Sequence, residues 1–186
     1  MEEYIRHSVD WILTLSPLSV YAIFFAVAYL ENLVPPMPGD ILVVFGGYMA
    51  AEQIVRFSFL LGLTTISSVL GFMTMYAIGA HWGYKIEARR RKFWLTRFLD
   101  VRFFEKGKRW MNRWGQRVVL ANRFLAGTRS VISLTAGISK TKITPTLINA
   151  AISSFLWNGI LLWMGWLVNE NWQIIGHYLN IYGRVI

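Results

Sequence analysis

The stretch from Glu31 to Asp40, Glu-Asn-Leu-Val-Pro-Pro-Met-Pro-Gly-Asp, restricts this chain more than any other. It sets two carboxylates, three prolines and a glycine between two uncharged apolar runs, Tyr21–Leu30 and Ile41–Ala51. Pro35, Pro36 and Pro38 lack backbone donors and cannot continue a helix. Each also pushes the residue before it toward extended geometry. A hydrophobic helix must therefore stop here, and a new one starts near Asp40 after a short irregular segment. Irregular backbone between apolar helices is tolerated at membrane depth only where protein buries it or it lines a wet cavity. The stretch thus reads as a functional site rather than a linker.

The membrane premise comes from composition. Of 186 residues 55% are hydrophobic, with mean hydropathy +0.41, and such chains with long uncharged runs are membrane proteins. A single membrane domain over residues 1–186 is expected. The start, Met-Glu-Glu-Tyr-Ile-Arg, lacks a basic n-region, so no cleavable signal peptide is expected. The chain has no cysteine, which leaves no disulfide, thiolate metal site or thiol nucleophile. The net charge of +9 is uneven: Lys85–Arg117 holds twelve of the nineteen basic residues and three acids. Nucleic acid is one partner for such a patch. With apolar runs on both sides, a basic cytoplasmic segment obeying the positive-inside rule is the stronger reading, and no nucleic-acid partner is expected.

Trp11–Leu30 is uncharged over twenty residues, enough to span, with Pro17 placing the true start near Leu18. Ile41–Ala51 is too short to span and suits a re-entrant half-helix, giving a first hairpin over about 33–56. Phe57–Tyr84 spans, and its small residues suit tight packing; Gly79-x-x-x-Gly83 would suit a homodimer contact, the oligomeric state being left open. In 85–117 basic residues are mixed with aromatic ones, as in helices lying on an anionic leaflet, with Gly107 and Gly115 as expected breaks. A second hairpin over about 118–140 has short apolar arms around Asn122–Arg129, contains Gly127 and ends at Gly137. Ile143–Asn169 spans, with Trp157, Trp163 and Trp166 read as interface anchors; Glu170–Ile186 is a partial span or an interface helix. Hairpin plus span, twice, hints at an inverted repeat. The fold class is therefore an all-α integral membrane protein with two re-entrant helical hairpins facing each other, flanked by spanning helices.

Four charges lie in apolar surroundings: Glu31, Asp40, Arg123 and Arg129. Each ionised group at the bilayer centre costs roughly 2.5–3.5 kcal/mol, so four unpaired ones cost on the order of 10 kcal/mol, comparable to the stability of a whole domain. They must pair or meet water. A purely structural role, acids locking the hairpins through arginines, accounts for this much. The sharper reading adds an anionic substrate, because guanidinium matches phosphate in two-point contact. Six residues apart, Arg123 and Arg129 would be about 240° apart on a continuous helix; a break at Gly127 lets them converge. Asp40 is placed to cap the helix it opens. Burial disfavours the charged form of a carboxylate, so Glu31 or Asp40 is a candidate proton carrier whose protonation releases an arginine.

Glu31-x-x-x-Pro35-Pro36-x-Pro38-Gly39-Asp40, followed by Gly46-Gly47, resembles the first signature of the DedA family of bacterial membrane proteins. Arg123-Phe-Leu-Ala126-Gly127-Thr-Arg129, followed by Ala136-Gly137, is similar to its second, in which Pro usually stands where this chain has Ala126. Gly71, Tyr76, Gly79 and Gly83 fall where that family has a Gly/Tyr-rich helix. The resemblance covers roughly residues 20–170. It implies two hairpins pointing at each other in a multi-pass protein of the bacterial inner membrane. It also implies transport of undecaprenyl phosphate or a phospholipid, flippase- or scramblase-like and linked to proton-motive force in some members. The family's essential acids and arginines map onto Glu31, Asp40, Arg123 and Arg129.

The leading expectation is a transporter of an anionic lipid headgroup, binding phosphate through Arg123 and Arg129, with Glu31 and Asp40 as ion-pair or proton-coupling partners. Pro35, Pro36, Pro38, Gly39, Gly127 and Gly137 serve as hairpin breaks. The alternatives are a proton-coupled small-ion or cation transporter and a structural membrane protein. An enzyme is not expected: His7, His81 and His177 are scattered, no metal-ligand spacing occurs, and neither metal nor cofactor is called for.

Overall fold

The computed structural model describes residues 17–34, 39–88, 101–125 and 129–170. These form helices α1 (Pro17–Leu33), α2 (Gly39–Ala51), α3 (Phe57–Ala88), α4 (Val101–Trp114), α5 (Gln116–Ala121), a 3-10 turn (Asn122–Phe124), α6 (Arg129–Ile138) and α7 (Ile143–Glu170). No strand occurs among the described residues.

Two of these helices, over Phe57–His81 and Ile143–Val168, are long and apolar enough to cross a membrane. Their surfaces are inverted relative to a water-soluble protein. Phe59, Ile66 and Leu70 of α3 and Ile152, Phe155 and Trp163 of α7 are exposed, while Thr64, Ser67, Ser153, Ser154 and Asn158 are buried. Apolar surface outside and polar residues inside suit a solvent of lipid tails. The spanning helix expected over Trp11–Leu30 is shorter in the described residues. α1 has 17 residues, about 25 Å at 1.5 Å per residue, and Trp11–Ser16 lie outside them.

Contacts fix the directions of the helices. Tyr21 packs edge-on against Phe59, at 4.7 Å between ring centroids, and its hydroxyl accepts the Arg56 amide. Ser67 donates to the Phe25 carbonyl, and Tyr29 pairs with Thr74. α1 and α3 therefore run side by side in the same direction. α2 returns antiparallel to α1, with Gly39 beside Glu31 and Gly46 beside Phe24. The other half repeats the scheme. Gln116 meets Thr146 and the Arg123 amide meets Ser153, so α5 and the 3-10 turn run with α7; α6 then returns. The Tyr21 end of the molecule therefore lies opposite the Lys142 end.

Each returning helix packs on the long helix of the other half. A Cβ on Gly47 of α2 would land on the Leu162 carbonyl of α7, and one on Gly165 on the Val44 carbonyl. A Cβ on Gly79 of α3 would land on the Leu134 carbonyl of α6, and one on Gly137 on the Tyr76 carbonyl. Two glycine pairs thus bring backbones into contact at both crossings, as small residues do in membrane interfaces.

Four glycine and tryptophan expectations are corrected here. Gly137 does not break the second hairpin: α6 runs through it, and the left-handed residue that ends the helix is Lys140, with φ 46°. Gly107 lies inside α4, buried against Val131 and Thr135 of α6; Gly115, with φ 50°, is the break. Gly79 is occupied within the chain and is not free for a homodimer contact. Trp157 is half-buried and turned to the interior rather than anchoring an interface.

Candidate functional site

The chain reversal after α1 and the one before α6 bring Glu31, Asp40, Arg123 and Arg129 together. Glu31 is in the last turn of α1 and Asp40 is the second residue of α2. Arg123 sits in the 3-10 turn and Arg129 opens α6. The helix between the arginines is broken, since Leu125 leaves helical geometry at φ −99°, ψ 89°. Pro35, Pro36 and Pro38 of the first break, and Ala126 and Gly127 of the second, lie outside the described residues.

Arg129 is held between both acids. Its Nη1 donates to Glu31 Oε1, and its Nη2 donates to Asp40 Oδ2 at 2.6 Å. Arg123 Nη1 lies 3.5 Å from Glu31 Oε2. Two cations and two anions give local neutrality, which is what burial of such groups requires. Gly39 makes room for this: a Cβ there would sit 2.8 Å from Glu31 Oε2. Its part is to admit the carboxylate.

The two acids differ. The Glu31 side chain is 5% exposed and serves both arginines; the Asp40 side chain is 34% exposed and serves one. Asp40 lies in the first turn of α2, and both of its carboxylate oxygens take side-chain donors. Its Oδ1 accepts a hydrogen bond from Trp157 Nε1 at 2.9 Å while Oδ2 takes Arg129. The Arg129 guanidinium also lies 5.7 Å from the Trp157 ring centroid, in range for a cation–π contact, and Phe124 packs edge-on against that ring. Trp157 is the site residue that sequence reasoning missed. Its signal was a tryptophan in mid-span next to Asn158, away from either end of α7.

Donors are left over. Arg123 Nη2 and Arg129 Nε are buried without a protein hydrogen-bond partner. Such donors favour an added acceptor, either water or an anion. Among the described residues no group of three or more His, Cys, Asp or Glu could hold a metal.

A buried acid–arginine cluster inside an all-helical bundle with an apolar exterior defines a membrane protein with an internal ionic site. Residues 37–167 match the model of the VTT domain, and the chain belongs to that family, the DedA family of membrane proteins. It is 29% identical to the "Alkaline phosphatase-like protein" of Lactococcus lactis over 88% of this chain and 78% of the relative. It is 24% identical to "Undecaprenyl phosphate transporter A" of Staphylococcus aureus over 89% and 82%. It is 32% identical to "Inner membrane protein YghB" of Salmonella typhimurium over 78% and 63%. No solved structure matches.

Proposed function

We propose that the protein is a transporter moving the phosphate headgroup of an anionic lipid, undecaprenyl phosphate or a phospholipid, across the bacterial inner membrane. Arg129 clamped between Glu31 and Asp40 carries this reading. In this reading the buried guanidinium held by carboxylates is a phosphate site occupied by the protein's own acids. The relative named for undecaprenyl phosphate transport supports the lipid. In this reading α1–α2 and α5–α6 are re-entrant hairpins entering from opposite faces. The basic segment 85–117 lies on the cytoplasmic leaflet, and the whole chain is one membrane domain.

The Arg129 fork as folded is closed, because both of its terminal nitrogens already face acids. Phosphate must displace a carboxylate, and a proton does so at least cost by removing its charge. Asp40 is the carboxylate that gives way, being the more exposed and bound to one arginine only. Its displacement frees Arg129 Nη2 toward the headgroup while Glu31 keeps both arginines in place. Transport by this scheme is proton-linked.

An enzymatic reading, prompted by the phosphatase-like relative, needs a free base near the arginines. Glu31 and Asp40 are engaged. His81 lies ten residues along α3 from Gly71, the glycine packed on Asn32, and its ring contacts the Ala77 carbonyl. Transport is therefore favoured. Reconstituting Arg123→Ala and Arg129→Ala in liposomes and following phosphate-lipid translocation tests it. Losing a charged hydrogen bond worth about 1.5–3 kcal/mol slows translocation by roughly tenfold or more. Unchanged rates in both variants would remove the arginines from the mechanism.

A further inference from the structure

One face of α7 is polar over most of its buried length between Thr146 and Asn158. Thr146, Ser153, Ser154 and Asn158 are buried, at helical spacing, and Asn149 lies beside them. From Thr146 to Asn158 this face covers about 18 Å of helix. Beyond it the buried residues are Leu161, Leu162 and Gly165. Buried hydroxyls and amides cost free energy in an apolar bundle unless they are satisfied.

Their partners run in order from one end of the molecule to the cluster. At the Lys142 end, Thr146 pairs with Thr141 and accepts from Gln116 Nε2 at 2.8 Å. Asn149 donates to Gln116 Oε1. Ser153 accepts the Arg123 amide, and Trp157 donates to Asp40. Seven buried side-chain nitrogen and oxygen atoms among the described residues have no protein partner. Five of them, on Asn122, Arg123, Arg129, Ser130 and Asn158, belong to the cluster or to its chain neighbours. Several unmatched polar atoms in one place are what buried water satisfies. Toward the Lys142 end the polar face of α7 runs beside an apolar cluster that includes Val118, Val119, Ile132, Ala136 and Ala150. Toward the Tyr21 end α7 has no such polar face, and the core is Val20, Phe24, Val43, Leu60 and Leu162.

We infer that the polar face of α7 is a hydrated access path that admits water and protons to the acid–arginine cluster from the Lys142 end alone. The path deepens the proton-linked reading above, and only the identity of what moves along it depends on that reading. It makes the proton supply one-sided. The cluster exchanges protons with the compartment at the Lys142 end, whichever way the lipid travels.

The absence of native cysteine permits a direct test. Single variants Asn149→Cys, Ser153→Cys and Ser154→Cys are placed in vesicles of each orientation and exposed to Ag+, a probe small enough for a narrow wet path. Protection of the thiol from later alkylation is then read. Lys142→Cys reports which side is exposed, and Val43→Cys and Leu162→Cys sample the apolar end. Path thiols are expected to react roughly tenfold faster than the apolar-end thiols, and only from the side that modifies Lys142→Cys. The inference is overturned if Ser153→Cys and Ser154→Cys react no faster than Leu162→Cys. It is equally overturned if they, or Ser68→Cys on α3, react from the opposite side. Ser→Cys changes one atom, and Asn149→Cys, nearest the mouth, tests the path even where the deeper variants do not fold; a silent Asn149→Cys also counts against it. Reactive path thiols in a protein whose transport ignores a pH gradient would leave the path standing and remove the proton linkage. The reverse pattern would do the opposite.

Discussion

Trp157 donates its indole N–H to Asp40 across 117 residues of sequence, while the same ring lies against the Arg129 guanidinium. The aspartate is thus held from two sides, by a neutral donor and by a cation. Trp157→Phe keeps the ring and removes the donor, a charged hydrogen bond worth about 1.5–3 kcal/mol. Phosphate-lipid translocation is expected to fall severalfold with the fold retained, and Trp157→Ala should be worse on both counts. Liposome transport and thermal unfolding in detergent measure the two effects.

Asp40 is the acid expected to give way to the headgroup. Asp40→Asn fixes a neutral side chain that competes poorly with phosphate for Arg129 Nη2, so binding of the phosphate lipid should tighten severalfold. Binding titrations decide this, and an unchanged affinity in the variant excludes Asp40 as the competing acid.

Glu31 is expected to be structural as well as functional. Glu31→Gln leaves two arginines with a single acid, and breaking a buried pair costs about 3–5 kcal/mol. Adding Arg123→Met removes the surplus charge and should recover a large part of that stability, but not transport. A double-mutant cycle on thermal unfolding measures the coupling. Additive losses would show that the pair does not interact.

The helix crossings make a further contrast. Gly47→Ala and Gly137→Ala each push a methyl group into a backbone carbonyl of the facing helix. Overpacking costs typically 1–3 kcal/mol, and the upper part of that range is expected where backbone is the obstacle. Gly62→Ala has open space around it and should be neutral or slightly stabilising, since alanine is the better helix former. Ranking the three melting temperatures is sufficient.

Much of the site was legible because charge in an apolar run is costly and therefore conspicuous. Glu31, Asp40, Arg123 and Arg129 stood out on that ground alone, and they meet in space. The end of α1 and the start of α2 followed from missing backbone donors. Glycine misled, because it marks a chain break and a close approach with the same letter. Gly107 and Gly137 proved to be approaches, and the residue that takes the left-handed turn is Lys140. Trp157 was hidden for another reason. A tryptophan near a helix end and one facing an internal acid look alike until the partner helix is known, and that partner is set by the crossing of α2 on α7.

That crossing bears on biogenesis. α2 emerges from the ribosome long before α7, the helix against which Gly47 and Val44 close. The first hairpin must wait in the bilayer with a carboxylate pair and a bare backbone stripe until the last long helix arrives. Quality-control proteases would meet the newborn chain in that waiting state, so truncation anywhere before α7 should shorten its cellular lifetime far more than its loss of mass suggests.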